Sequence, residues 1–231
     1  DLGLSDIDPC AWETTLVEVC TSSFQKLPDK IALAFLGVHV TFDELDRYAN
    51  RFAHLLLNLG LKKGEVVGIN LPNIPEYVIA MLGTARAGGV SSGVSPLLSS
   101  EELDYQLRDS RAKVLVTLDA LYEHRLASIA PRLPDLQAVI TTSIGGFLPS
   151  WKRMLGQCLG RIPTGKIAPL PGKIVYPFKE ILRTRELSEQ MPSVHRTPDD
   201  IAFLMYTGGT TGIPKGAMLS HRNVVSNLMI I

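Results

Sequence analysis

The 231-residue sequence has no excess charge of either sign: 23 lysines and arginines balance 23 aspartates and glutamates. That excludes a global field able to gather nucleic acid over the whole surface, and no nucleic-acid partner is expected. Its three cysteines, Cys10, Cys20 and Cys158, are too few and too scattered for a disulfide framework or a metal cluster. Free thiols and a cytoplasmic location are expected. His39, His54, His124 and His195 lack the spacing of zinc ligands and read as structural, so no protein-held metal is expected. No run of about eighteen apolar residues occurs, so no membrane-crossing helix is expected. The opening DLGLSDIDPC has neither the basic nor the apolar segment of a secretory leader, and it does not begin with Met. No internal repeat is visible.

What is present is a folded, globular composition, 45% apolar and 20% charged, long enough for one large domain or two small ones. Apolar spacing predicts a helix over Trp12–Leu27, stopped by Pro28. IALAFLGVHVTF predicts two short strands turning near Gly37. Thr41 and Glu44 form a capping-box pattern ahead of a helix whose Leu45, Tyr48, Phe52, Leu55, Leu56 and Leu59 share one face, with Gly60 as its C′ residue.

From there the pattern alternates between strand and helix. EVVGINL, VSSGVSP, KVLVTL and LQAVITT read as strands. Asn73 is expected to cap a helix with Pro75 in its first turn, and Ser99 with Glu102 to cap another. Glu101 and Glu102 read as helix N-terminal charge, not as a catalytic carboxylate pair. Short apolar runs between amphipathic helices imply an α/β fold, a mostly parallel sheet flanked by helices. Residues 145–176 break the rhythm: Gly- and Pro-rich, with Lys152, Arg153, Arg161, Lys166 and Lys173 and no acid, they read as a basic insertion over 145–179. A helix is expected over Phe178–Leu187, then a linker, then the strand IAFLMY.

That strand runs into YTGGTTGIPKG, Tyr206–Gly216, with four glycines, three threonines and a lysine. Gly208, Gly209 and Gly212 let a bulky anion approach the main chain, where amide N–H groups converge. Thr207, Thr210 and Thr211 add hydroxyl donors, and Lys215 adds a mobile positive charge. The set suits a polyphosphate. It is neither a Walker A loop nor G-x-G-x-x-G: Lys215 follows Pro214, and AMLS reads as a further strand with the next helix opening at Ser220. Tyr206 reads as packing at the strand end. Ser220 reads as a helix cap, and His221 as a first-turn residue that could also touch phosphate.

The stretch YTGGTTGIPKGAMLSHRN resembles the phosphate-loop signature of the adenylate-forming, AMP-binding superfamily. The resemblance extends through GLKKGEVVGINLPNIPEYVIAMLGTARAGGVSSGVSP, Gly60–Pro96. Gly208 stands where Ser is commoner, and the Gly-Gly form is similar to the long-chain fatty-acid–CoA ligase branch. The resemblance implies ATP-dependent formation of an acyl-adenylate from a medium- or long-chain fatty acid, then transfer to coenzyme A. It assigns Thr207, Gly208, Gly209, Thr210, Thr211, Gly212 and Lys215 to the phosphates, with Mg²⁺ on the phosphate oxygens. It places the remaining catalytic residues beyond Ile231, so the chain would be an N-terminal portion with an incomplete large domain, inactive alone. It further implies that residues 1–60 pack on a subdomain missing here, while 61–231 form the α/β subdomain. An uncovered stripe on Thr41–Leu59 would then favour a homodimer.

Four alternatives stay open. One is an adenylating enzyme for aryl or amino acids, another a P-loop-like NTPase or kinase, a third a non-catalytic nucleotide-binding module. The fourth concerns 147–179, which is either a solvated insertion or a peripheral contact with the inner face of a membrane.

Overall fold

The computed structural model describes residues 12–207 and 213–230. Helix α1 (Leu16–Lys26) starts later than its apolar spacing suggested, because Thr15 and Glu18 form a capping box at its head. The hairpin β1 (Ile31–Phe35) and β2 (Val38–Thr41) follows, and then α2 (Phe42–Asn58), capped by Thr41 and Glu44 as expected. Gly60 takes φ +84 after its last turn, the left-handed position of a C′ residue.

The alternating section builds β3 (Val66–Asn70), α3 (Pro75–Arg86), β4 (Val90–Gly93), α4 (Ser100–Asp109) and β5 (Val114–Leu118). Next comes α5 (Asp119–Leu121), joined through a π-helical turn at Tyr122–Leu126 to α6 (Ala127–Ile129). Strand β6 (Ala138–Thr142), α7 (Ser150–Cys158), β7 (Ile174–Pro177) and α8 (Phe178–Arg183) complete that part. Two local expectations are corrected. The N-cap of α3 is Ile74, without a side-chain cap bond: Pro75, whose fixed φ suits the first helical residue, takes N1 and leaves Asn73 one position ahead of the cap. Helix α8 stops at Arg183 because Thr184 is already extended.

Seven strands form one sheet in the order β7-β6-β5-β3-β4-β8-β9, with β8 (Ile201–Thr207) and β9 (Lys215–Ser220) at one edge. All neighbours are parallel except the antiparallel pair β8–β9. The period of two sorts the core. Val67, Ile69, Val116 and Ile140 face a cluster with Phe52, Leu56, Ile79 and Phe178. Leu115 and Val139 face the other, with Leu103, Leu107, Tyr122 and Leu126.

The first cluster corrects the expectation of an uncovered stripe on α2. Leu45, Phe52 and Leu56 are buried within the chain, in a cluster that runs from Phe24 to Leu187 across position 60. The basis for self-association through that face is gone. Helix α3 approaches α2 so closely that a Cβ at Gly83 would lie 2.8 Å from the Ala49 carbonyl oxygen. The chain returns from β4 to the far side of β3, so the strand order reverses there. Buried Asn70, at the end of β3, spans this switch point. Its Nδ2 donates to the carbonyls of Val94 (3.2 Å) and Ser95 (2.9 Å), and its Oδ1 accepts from Thr117 Oγ1 (2.9 Å). In open α/β sheets, ligands bind outside the carboxyl ends of the strands at such a point.

Candidate functional site: the mouth of the β8–β9 hairpin

Strand β8 lies beside β4, and its carboxyl end opens on the same side of the sheet as those of the other parallel strands. The register of β8 with β9 sets Tyr206 opposite Gly216 and Thr207 opposite Lys215. Thr207 and Lys215 therefore face each other at the mouth of the connection, both exposed. Gly208, Gly209, Thr210, Thr211 and Gly212 lie outside the described residues.

The stem is anchored to α4. Tyr206 Oη donates to Asp109 Oδ2 at 2.5 Å. Burial and then the Asp109 carboxylate push the phenol well above its usual range, so it stays a donor at any physiological pH. Tyr105 Oη donates to the Pro214 carbonyl at 3.0 Å and fixes the exit. Gly216 lets the neighbouring side chains pack closely: a Cβ there would lie 2.8 Å from Leu204 Cδ1 and 3.3 Å from Tyr206 Cζ. A rigid two-stranded stem thus carries a hydroxyl and an ammonium to one spot, an arrangement suited to an anion with several oxygens.

The sequence pattern of the family described as AMP-binding enzyme matches residues 20–231. The chain belongs to the AMP-binding enzyme family. Among its relatives is a long-chain-fatty-acid–CoA ligase of Bacillus subtilis, 35% identical over 218 residues, 92% of this chain and 38% of that protein. Another, with the same designation in Escherichia coli O157:H7, is 35% identical over 228 residues, 97% of this chain and 39% of that one. The chain thus spans less than two fifths of the length of these relatives. The solved anthranilate CoA ligase AuaEII, in complex with anthranoyl-AMP, superposes with a TM-score of 0.74 at 25% identity, over 91% of this chain and 35% of that one. A long-chain-fatty-acid-CoA ligase from Archaeoglobus fulgidus shares the fold, with a TM-score of 0.69 over 93% of this chain and 38% of that one at 22% identity.

In this member of the AMP-binding enzyme family His221 is a structural residue. It is buried at the head of α9 (His221–Ile230), and its Nδ1 accepts from the Leu16 amide at 3.3 Å. Burial lowers its pKa, so it sits neutral against α1. Ser220 and Asn223 bond reciprocally, Asn223 N to Ser220 Oγ at 3.2 Å and Ser220 N to Asn223 Oδ1 at 3.0 Å, which caps α9 as expected. Among the described residues no group of three or more His, Cys, Asp or Glu could hold a metal.

Glu76, which the sequence reading did not single out, is 1% exposed, and Thr142 Oγ1 donates to its Oε1 at 3.1 Å. Burial raises its pKa from 4.5 to about 7. A carboxyl raised in the folded state holds its proton there first. Its contribution is complete below about pH 4.5 and is lost as pH rises through about 7. His221 acts with the opposite sign, so the clean observable is a difference. Glu76→Gln is expected to match the parent near pH 4.5 and to exceed its unfolding free energy by roughly 3 kcal/mol at pH 8. Urea unfolding at the two pH values measures it, and a constant offset would assign the cost to something other than this proton.

Proposed function

We propose that this chain is the N-terminal portion of an ATP-dependent acid–thiol ligase for medium- or long-chain fatty acids. In the first step a carboxylate oxygen of the acid attacks the α-phosphorus of ATP. The bond to the β-phosphate breaks, and pyrophosphate leaves with both electrons of that bond. In the second, the sulfur of coenzyme A attacks the acyl carbonyl carbon, AMP leaves, and the thiol proton passes to solvent. The nucleophiles come from the substrates, so the protein's share is positioning and charge compensation.

The observation that carries this reading is the facing pair Thr207 and Lys215 at the mouth of a braced hairpin. On this reading Thr207, Thr210 and Thr211, with the amides of Gly208, Gly209 and Gly212, hold the β- and γ-phosphates. Lys215 offsets the charge that grows on departing pyrophosphate. Mg²⁺ on the phosphate oxygens would add its charge compensation to that of Lys215. The relatives' designation as long-chain-fatty-acid–CoA ligases supports the fatty acid as substrate. Work in the cytoplasm, on acids arriving at the inner face of a membrane, fits that substrate.

A second reading, an aryl acid, is favoured by the likeness to the structure holding anthranoyl-AMP. AMP release by the full-length protein, with ATP, coenzyme A and a panel of acids, separates the two. Turnover is expected with fatty acids and not with benzoate or anthranilate. ADP in place of AMP would replace both readings with a phosphoryl-transfer enzyme.

A further inference from the structure

Helix α7 is built inside out. Its apolar residues Trp151, Met154, Leu155 and Cys158, with the C-cap Leu159, recur at helical spacing and form one stripe. In a soluble helix such a stripe faces the core. Here Trp151, Met154, Leu155 and Leu159 are 53–64% exposed, Cys158 is exposed too, and none of the nine residues of α7 is buried. The helix is held from its other side. Gly156 sits against Ile162, where an added Cβ would meet Ile162 Cδ1 at 2.6 Å, and Arg153 lies along Gly145. Arg153 and Gln157 line a polar cavity of about 340 Å³ at the carboxyl ends of β5, β6 and β7. So the orientation is fixed, and the apolar side is the outer one.

Along the segment that carries the stripe, charge has one sign, and the nearest acids, Glu123 at the Lys166 amide and Asp119 in the cavity with Arg153, come from outside it. Residues 136–179 contain no Asp or Glu and six cations: Lys152, Arg153, Arg161, Lys166, Lys173 and Lys179. Lys152 Nζ lies 5.5 Å above the Trp151 ring. The same ammonium lies beside Gly37 at the tip of the β1–β2 hairpin, which brings the exposed Leu36 next to α7. Trp, Leu and Met on one side and cations beside them, with no acid in the segment itself, are the recognition chemistry of a helix lying in the headgroup layer of an anionic bilayer. A protein partner complementary to this patch would have to be both apolar and acidic over a strip one helix long, whereas an anionic membrane offers both at once.

We propose that α7, with the tip of the β1–β2 hairpin, is a membrane-docking element for anionic phospholipid. The helix lies parallel to the surface, with Trp151 and Leu155 entering the acyl boundary and Lys152, Arg161 and Lys166 at the phosphates. The inference is independent of which acid is activated.

The test is flotation of the full-length protein with vesicles of phosphatidylcholine alone and of phosphatidylcholine with phosphatidylglycerol. Binding is expected to the anionic vesicles, to weaken with salt, and to be faint on phosphatidylcholine. Trp151→Ser with Leu155→Ser, both on an exposed face, is expected to lower the anionic-vesicle partition about tenfold or more without moving the melting temperature. Lys152→Glu with Arg161→Glu and Lys166→Glu is expected to lower it at least as much and to remove the salt dependence. The fluorescence difference between the parent and Trp151→Phe, quenched by brominated acyl chains, reports insertion of that ring. Vesicle binding that survives both sets of variants would overturn the proposal, as would a parent protein that does not float. A melting temperature lowered by the serine pair, with α7 resistant to protease in the absence of lipid, would show instead that the rest of the protein covers the stripe, and would also overturn it.

Discussion

Replacing Lys215 with alanine in the full-length protein is expected to cut acid-dependent AMP formation by about 10²–10³-fold, the usual cost of losing one donor aimed at developing charge. The argument rests on where the residue sits. Lys215 opens β9 directly opposite Thr207, and its side chain is exposed. The stem below it is held by Tyr206 on Asp109 and Tyr105 on the Pro214 carbonyl. Removing the ammonium therefore takes away charge at the mouth without loosening the hairpin, and the melting temperature is expected to stay within a degree or so. The kinetic split locates the role. A lysine that only grips ATP would raise KM for the nucleotide and spare kcat, whereas one that offsets charge on departing pyrophosphate lowers kcat. Lys215→Arg keeps the charge but changes its shape, and is expected to recover only part of the rate. Turnover unchanged in Lys215→Ala would remove the phosphate role from this end of the hairpin.

Much of this site was legible because its signals are local. Thr41 with Glu44, Ser99 with Glu102 and the Gly60 stop each act over a few residues, and each appears as the pattern implies. The alternation of apolar runs with amphipathic helices gave the parallel sheet for the same reason. The composition of Tyr206–Gly216 suits an anion loop, and the register sets two of its members, Thr207 and Lys215, face to face. What was hidden depends on distant residues. Strand β7 is four residues in a Gly- and Pro-rich stretch, and it becomes a strand only by pairing with β6. Helix α7 is short and lies within a Gly- and Pro-rich stretch, which masks its helical spacing. Asp109 meets Tyr206 across 97 positions, and Glu76 meets Thr142 across 66, so no window of sequence contains either pair. Burial decided the fate of Glu76, and burial is a property of the assembled fold.

The largest effect on stability is expected at a residue far from the loop. Asp46→Ala should destabilise the fold by about 3–5 kcal/mol, the range for stripping a partner from a buried charge. Arg86, at the end of α3, is 1% exposed. Its Nη2 donates to Asp46 Oδ1 at 2.6 Å, and its Nη1 to Asn50 Oδ1 at 2.7 Å and the Asp46 carbonyl at 2.8 Å. The Phe24 ring lies 5.8 Å from the guanidinium carbon. A guanidinium cannot shed its proton, so without Asp46 the positive charge stays buried with only neutral partners. A control lies one turn away from Asp46. On α2, Arg47 and Asp43 pair at 3.1 Å with side chains 42% and 55% exposed, and Asp43→Ala should cost less than about 1 kcal/mol. The double variant Asp46→Leu with Arg86→Leu removes both charges and should be less damaging than Asp46→Ala alone. Urea unfolding of the three variants measures this ordering, and equal losses for Asp46→Ala and Asp43→Ala would contradict it. The consequence reaches the site. Arg196 donates to the Arg86 carbonyl at 2.7 Å, and the Asn50 amide to the Glu189 carbonyl at 2.6 Å. These bonds pin the linker that delivers the chain into β8. The buried pair that joins α2 to α3 therefore shares Arg86 and Asn50 with the bonds that hold this linker.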